Sequence, residues 1–93
     1  MGRYKLILGT EAQAHLLQIK KSGNKADMKK IEKIFEELQE HPETGVGQPE
    51  RLKHSLSGFW SRRLNQKDRI VYKIDDLEIV VMVVSAKGHY SDN

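Results

Sequence analysis

The chain has 93 residues, of which 31% are charged and 6% aromatic, with a formal net charge of +3 and no cysteine. This length allows one domain with one modest core, and the composition is typical of a folded domain rather than a disordered chain. No segment approaches the roughly 18 apolar residues of a membrane helix, and no apolar run follows Met1–Tyr4, so we expect neither a membrane anchor nor a signal peptide. The lack of cysteine excludes disulfide and thiolate chemistry and favours a reducing cytoplasm.

The first half of the chain predicts a short strand followed by a helical hairpin. The strand is expected at Tyr4–Leu8, and Thr10 with Gln13 has the spacing of a capping box that starts a helix. Apolar residues then recur at helical spacing, are interrupted by a polar turn, and recur again before Pro42. Asn24, in that turn, is expected to cap the second helix. Both apolar sets are typical of a core, so we assign no catalytic residue to the hairpin.

The second half predicts an antiparallel sheet. Four strand-like runs follow a loop rich in glycine and proline: Arg51–Leu56, Phe59–Leu64, Asp68–Ile74 and Leu77–Ser85. The short turn-forming segments between them imply antiparallel hairpins. The order is therefore β-α-α-β-β-β-β. We expect an α+β domain in which a two-helix hairpin packs on one face of a twisted, mainly antiparallel sheet.

Side-chain alternation predicts which residues share the helix-covered face of this sheet. Three sets belong there: Ile70, Tyr72 and Ile74; Trp60 and Leu64; Leu52 and Leu56. Matching these sets across strands places Trp60 opposite Tyr72 and Leu56 opposite Trp60, with three-residue loops at both hairpins. Tyr72 and Trp60 are interpreted as core residues rather than as platforms for nucleic-acid bases.

The same register has a consequence for the basic residues. Six cations lie between positions 51 and 69 against one acid: Arg51, Lys53, Arg62, Arg63, Lys67 and Arg69. Such a block is an electrostatic footprint for partners that carry phosphate, and the alternative is an ordinary solvated sheet face. The predicted register places Lys53, Arg63 and Arg69 in one row on the face away from the helices.

The last predicted strand is apolar on both faces from Leu77 to Val84. A strand of this type usually lies centrally in its sheet. Its second face needs a cover, which can be a simple buried core or a partner chain.

Three segments carry a resemblance to a known family. Gly47–Leu64, which reads GQPERLKHSLSGFWSRRL, resembles the central motif of the YoeB/Txe toxins, RelE-like endoribonucleases of type II toxin–antitoxin systems. The resemblance continues through Asp68–Tyr72 and ends at Gly88–Tyr90. It implies a RelE-like fold and an endoribonuclease toxin domain that spans residues 1–93. It also implies cleavage of mRNA at the ribosomal A site, with no metal or other cofactor.

The resemblance further implies the roles of individual residues. Glu50 is similar to the general base of the family, His89 to its general acid, and Arg69 to the residue that stabilises the phosphate and the transition state. A substrate-binding group is implied as well: Lys53, Arg63, Tyr90 and His54. For His54 the alternative is a structural role near Arg62.

These residue types suit the chemistry. Metal-free RNA cleavage needs a base for the 2′-OH proton, an acid for the departing 5′ oxygen, and fixed cations where the phosphate gains charge. Histidine is a suitable acid at cellular pH because imidazole titrates near neutrality. Strict alternation, however, puts Glu50 on the helix-covered side together with Leu52. A role for Glu50 on the open face therefore requires a local break, such as a bulge after Pro49.

The resemblance implies partners and a compartment too. These are mRNA on the ribosome, a cognate antitoxin of the YefM/Axe type whose largely disordered segment folds onto the toxin, and a second copy of the chain. We expect a cytoplasmic protein without a membrane partner. The alternative function is a catalytically silent RNA- or ribosome-binding module, which the basic row supports equally well. The presence of both Glu50 and His89 argues against it.

Overall fold

A two-helix hairpin packs on one face of a five-stranded mixed sheet in the computed structural model, which describes residues 3–53 and 57–84. The elements are β1 (Lys5–Leu8), α1 (Thr10–Ser22), α2 (Lys25–Glu40), β2 (Glu50–Arg51), β3 (Phe59–Arg63), β4 (Arg69–Asp75) and β5 (Glu78–Val84). The strand order is β1-β5-β4-β3-β2, in which β1 runs parallel to β5 and all other pairs are antiparallel. The predicted α+β class and element order are confirmed.

The two helices begin in different ways. Asn24 caps α2 as predicted, because its side-chain oxygen accepts a hydrogen bond from the backbone N–H of Asp27 at 3.0 Å. The capping box predicted for α1 is wrong, since Thr10 is already helical and Gly9 is the N-cap residue, without a side-chain cap. Gly9 instead donates its N–H to the carbonyl of Val81, which ties the start of α1 to the sheet. The Gln13 side chain reaches back to the carbonyl of Leu8.

The main core lies between the helices and one face of the sheet. Its buried apolar residues are Ala12, Ile31, Ile34, Leu38, Leu64, Ile70, Tyr72, Ile79 and Val81. Trp60 and Ile74 are partly buried and pack against this cluster. The prediction that Trp60 and Leu64 share the helix-covered face with the alternate residues of β4 is therefore confirmed.

The hairpin of β3 and β4 has the predicted register. Trp60 lies opposite Tyr72, and the N–H of Leu64 bonds to the carbonyl of Asp68, which leaves a three-residue loop. At the sheet end of this hairpin, Arg63 lies opposite Arg69. Two arginines thus stand side by side on the face away from the helices.

The register predicted for β2 is wrong. This strand contains only two residues, and Arg51 rather than Leu56 lies opposite Trp60; Leu56 itself lies outside the described residues. The physical reason is the position of Leu52, which packs with Val71 and Phe59 in a small second cluster on the open face. Alternation gave no sign that this face also buries apolar side chains, so Leu52 was assigned to the wrong face.

Strand β5 lies between β1 and β4, in agreement with the prediction of a non-edge strand. Its pairing with β4 shifts by one residue, since Tyr72 is opposite Val81 and Val71 is opposite Val83. Met82, at the shift, has an exposed side chain. The strict alternation predicted for this strand is interrupted at that point.

Candidate active site

Glu50 lies on the open face of the sheet. It pairs with Ser61 of β3, and residues opposite each other in an antiparallel pair project to the same face. Its carboxylate side chain is 60% exposed. The predicted bulge is not required, because Glu50 and Leu52 do share a face, as alternation says, and that face is the open one.

Arg69, at the start of β4, reaches towards this carboxylate. Its Nη1 is 3.9 Å from Oε1 of Glu50 and donates a hydrogen bond of 3.1 Å to Oγ of Ser61. A separation of 3.9 Å is longer than a hydrogen bond, so the carboxylate and the guanidinium are adjacent but not locked together. Because the carboxylate is open to solvent, an ion pair of this length contributes only about 0–1 kcal/mol to stability. The carboxylate remains accessible as a base, with a cation beside it.

Arg63 adds a second guanidinium to this face. It lies opposite Arg69, and its side chain is exposed. Like charges directly opposite each other destabilise a sheet, and an anion between them would relieve the repulsion. The pair is therefore suited to hold a phosphate near Glu50.

Lys53 does not extend this row. It comes after the end of β2, beyond Leu52, whose N–H bonds to the carbonyl of Phe59. The backbone neighbour of Arg63 on this side is Gly47, whose carbonyl accepts the Arg63 N–H at 2.6 Å. The prediction of a single row with Lys53 opposite Arg63 is thus wrong, as a consequence of the wrong register of β2. Lys53 is exposed, and its assignment to substrate binding stays a prediction.

Arg62 belongs to the interior and not to the basic surface. Its side chain is fully buried, and Nη1 donates to Oε1 of Glu37 at 2.6 Å. Nη2 donates to the carbonyls of His41 at 3.0 Å and Thr44 at 2.6 Å. Counting Arg62 in the phosphate footprint was therefore wrong. Its position between Trp60 and Leu64 would have revealed this, because alternate residues of a strand share a face.

Two titratable groups around Arg62 have shifted pKa values. Burial raises the pKa of Glu37, but hydrogen bonds from the N–H of Val46 and from Arg62 outweigh burial and hold the pKa below its ordinary value. Burial raises the pKa of Tyr72, although Arg62 opposes this shift. The Tyr72 hydroxyl donates to the carbonyl of Pro42 at 2.5 Å. We call Arg62, Glu37 and Tyr72 the buried hub.

The buried hub fixes the loop that leads to Glu50. Besides its bonds to His41 and Thr44, Arg62 contacts the carbonyl of Val46, so its guanidinium holds residues 41–46. Gly47 follows with a φ of 84°, and a Cβ there would lie 2.7 Å from the carbonyl oxygen of Arg63. Only glycine fits this close approach without displacement. The loop therefore delivers the chain to β2 along a defined path.

His89, Tyr90 and His54 lie outside the described residues, so their proposed roles stay predictions. Val84, the last residue described, is paired with Ile70, which is adjacent to Arg69. Strand β5 thus ends beside the start of β4. Within residues 3–53 and 57–84, no group of three histidine or acidic side chains is arranged to hold a metal ion. In the same part of the chain, neither helix has the length and apolar character to cross a membrane.

The chain is similar in sequence and in structure to known bacterial toxins. A family model described as a YoeB-like toxin of bacterial type II toxin–antitoxin systems matches residues 11–90. A YoeB toxin of Escherichia coli O6:H1 is 40% identical over 67 residues, which are 72% of this chain and 77% of that toxin. The solved YoeB dimer from Staphylococcus aureus aligns with a TM-score of 0.78 at 29% identity, over 95% of this chain and 99% of that chain. A YoeB–YefM complex from the same organism gives 0.76 at 30% identity with the same coverage.

These matches identify the chain as a toxin of a bacterial type II toxin–antitoxin system. Within that class, the chain belongs to the YoeB family, which confirms the resemblance seen in Gly47–Leu64. The two helices on a five-stranded sheet are the fold that it shares with the solved relatives.

Proposed function

We propose that this toxin is an endoribonuclease that cleaves mRNA bound to the ribosome. The observation that carries the proposal is the group formed by Glu50, Arg69 and Arg63 on the open face of the sheet. The accessible carboxylate lies 3.9 Å from Arg69, and Arg63 lies opposite Arg69. The stability of the fold does not account for this set, because the ion pair of Glu50 and Arg69 contributes little and the two arginines repel each other. The set is suited to a substrate that carries both a phosphate and an acidic proton.

In the proposed mechanism, Glu50 takes the proton of the ribose 2′-OH, and the 2′ oxygen attacks the adjacent phosphorus. Arg69 and Arg63 stabilise the negative charge that builds on the phosphate oxygens. His89 donates a proton to the departing 5′ oxygen. The products are a 2′,3′-cyclic phosphate and a free 5′-OH. Each role is supplied by a side chain, so the proposed step calls on no cofactor.

The end of β5 supports the proposed role of His89. Val84 is paired with Ile70 next to Arg69, and His89 follows only five residues later. Five extended residues span up to about 17 Å, which allows the acid to approach the phosphate from the end of the sheet. Tyr90 would then stack on or position a base, while Lys53 and His54 contact the RNA backbone.

The proposed partners follow from the site and from the relatives. The proposed substrate of the toxin is mRNA on the ribosome in the cytoplasm. The proposed endoribonuclease domain spans residues 1–93. A YefM-type antitoxin with a largely disordered segment is proposed to cover the basic face, since a solved relative is described as a YoeB–YefM complex. Another relative is described as a YoeB dimer, which supports a homodimer for this chain.

The test is primer extension on a translated message and on the same message free of ribosomes, with wild type and Glu50→Gln. The variant keeps the size of the side chain and removes the base, so we expect cleavage to fall by about 10²- to 10⁴-fold. His89→Gln should cause a comparable loss. Glu36→Gln, an exposed change on α2, is the matched control and should cut like wild type. An intact message with the wild-type protein under both conditions would refute the proposal.

The second candidate is a silent RNA- or ribosome-binding module. The paired Arg63 and Arg69 favour it, because they can bind phosphate without any cleavage. The two functions are distinguished by also measuring, by sedimentation, how much of each protein binds to the ribosomes in the primer-extension samples. Binding that survives in Glu50→Gln, together with a wild type that leaves the message intact, would select the binding module.

A further inference from the structure

Ser61 lies beneath the pair formed by Glu50 and Arg69. It sits in the middle of β3, opposite Glu50 on one side and Val71 on the other, and its side chain is completely buried. Its Oγ accepts the hydrogen bond from Nη1 of Arg69 at 3.1 Å. A buried hydroxyl without a partner costs free energy, and here the partner is Arg69.

The residue type at this position is informative. A buried sheet position opposite Val71 would favour a β-branched apolar side chain, and serine packs less well there. Serine instead supplies a hydroxyl oxygen that accepts a hydrogen bond, on a short side chain close to the sheet backbone. Arg69 is the side chain that uses this acceptor.

The hydrogen bond also decides the direction of Arg69. Its direct neighbour across the hairpin is Arg63, which has the same charge, whereas Ser61 is the diagonal neighbour two residues earlier on β3. The bond to Ser61 draws the guanidinium along the strand, away from Arg63 and towards Oε1 of Glu50. Without it, repulsion from Arg63 would leave Arg69 free to turn into solvent.

We propose that Ser61 is a positioning residue, whose hydroxyl holds the Arg69 guanidinium beside Glu50 so that the two groups act on the same phosphodiester. This inference rests on the proposed function. Ser61 does not touch the reacting atoms; it acts through Arg69.

The first test compares cleavage rates of Ser61→Ala, Ser61→Thr and Ser61→Val. The threonine and valine variants have nearly the same shape and differ in the hydroxyl. We expect alanine and valine to lower kcat/KM by about ten- to a hundred-fold, which is the effect of a lost hydrogen bond to a charged group. Threonine should restore most of the rate. Ser22→Ala, which removes an exposed hydroxyl on α1, is the control and should leave the rate unchanged.

A double-mutant cycle separates positioning from a general structural defect. Affinity for a 2′-O-methyl oligonucleotide, which lacks the attacking hydroxyl, is measured with Ser61→Ala in the wild-type and in the Arg69→Ala background. If Ser61 acts through Arg69, the serine substitution weakens binding in the first background and has no effect in the second. An equal loss in both backgrounds, or equal cleavage rates for the threonine and valine variants, would overturn the proposal.

A third measurement does not depend on catalysis. The ¹⁵N relaxation of the Arg69 Nε–Hε group should show greater mobility in Ser61→Val than in Ser61→Thr. If the wild-type protein cuts no RNA, the proposed function is refuted, but the relaxation measurement still tests whether Ser61 holds Arg69. Equal mobility of Arg69 in both variants would refute the role of Ser61 even if the toxin cleaves RNA.

Discussion

Arg62 and Arg63 are consecutive in the chain, yet replacement by lysine should destabilise the fold at Arg62 and leave its stability nearly unchanged at Arg63. The Arg62 side chain is fully buried and makes five hydrogen bonds, to Glu37, Tyr72 and three carbonyls of residues 41–46. The Arg63 side chain is exposed on the open face. The same chemical change therefore tests two environments at neighbouring positions.

The expected magnitude follows from the contacts of Arg62. Lysine keeps the charge but has one nitrogen in place of a planar fork, so it cannot reach acceptors on both sides. At least two buried acceptors lose their donor, at about 1–3 kcal/mol each, and we expect Arg62→Lys to cost about 2–5 kcal/mol. A domain of this length is stable by about 5–14 kcal/mol in total. For Arg63→Lys, we expect a change within about 0.5 kcal/mol.

The assay is urea denaturation followed by far-ultraviolet circular dichroism. Arg62→Lys should lower the midpoint with an unchanged m-value, while Arg63→Lys should superpose on wild type. Equal midpoints for the two variants would show that the hydrogen bonds of Arg62 do not stabilise the fold, and the reasoning on the buried hub would fail.

Three further predictions concern the buried hub and the open face. Glu37→Ala leaves the buried Arg62 guanidinium without its carboxylate, and we expect it to lower the free energy of unfolding by about 3–5 kcal/mol in urea denaturation. The exposed Glu36→Ala is the control and should cause no loss. Because folding lowers the pKa of Glu37 from 4.5, its stabilisation is present above that pH and lost as the pH falls through the folded pKa, and an acid titration of the variant should lack this loss. Tyr72→Phe should cost about 1–2 kcal/mol by removing the bond to Pro42. Because folding raises the pKa of Tyr72 from 10.0, its contribution is complete below that pH and lost as the pH rises through the folded pKa, so the variant's urea midpoint should be less sensitive to alkaline pH than that of wild type. Arg63→Gln should weaken binding of an RNA oligonucleotide and lower the slope of log affinity against log salt by about one, and an unchanged slope would count against a phosphate contact.

The sequence was sufficient for the hairpin of β3 and β4, and the reason is visible in its residues. Trp60, Leu64 and Tyr72 form apolar sets with one consistent period, so only one register buries them all. Arg63 and Arg69 are brought together by the same register. The apolar pattern alone therefore predicted correctly that Arg63 and Arg69, two of the three cations of the predicted row, lie opposite each other.

The error at β2 has an equally specific cause. A two-residue strand offers one apolar neighbour, Leu52, and one residue does not reveal to which face it belongs. Phe59 and Val71 create a second apolar cluster on the open face, and Leu52 joins it. This packing reversed the face assigned to Glu50 and moved Lys53 out of the predicted row. The sequence motif had named Glu50 as a candidate catalytic residue, but the position of its side chain was inferred from the wrong face.

Strand β3 couples the stability of the fold to the geometry of the site. Its inward residue Arg62 fixes residues 41–46, and the N–H of Arg63 then holds the carbonyl of Gly47, three residues before Glu50. Since β2 is only two residues long, the path of this loop contributes more to the position of Glu50 than the strand itself does. Its outward residue Ser61 holds the partner cation. If the proposed function holds, a substitution that loosens the buried hub should therefore reduce cleavage under conditions in which the protein is still folded, because Glu50, the proposed base, is displaced before the core is lost.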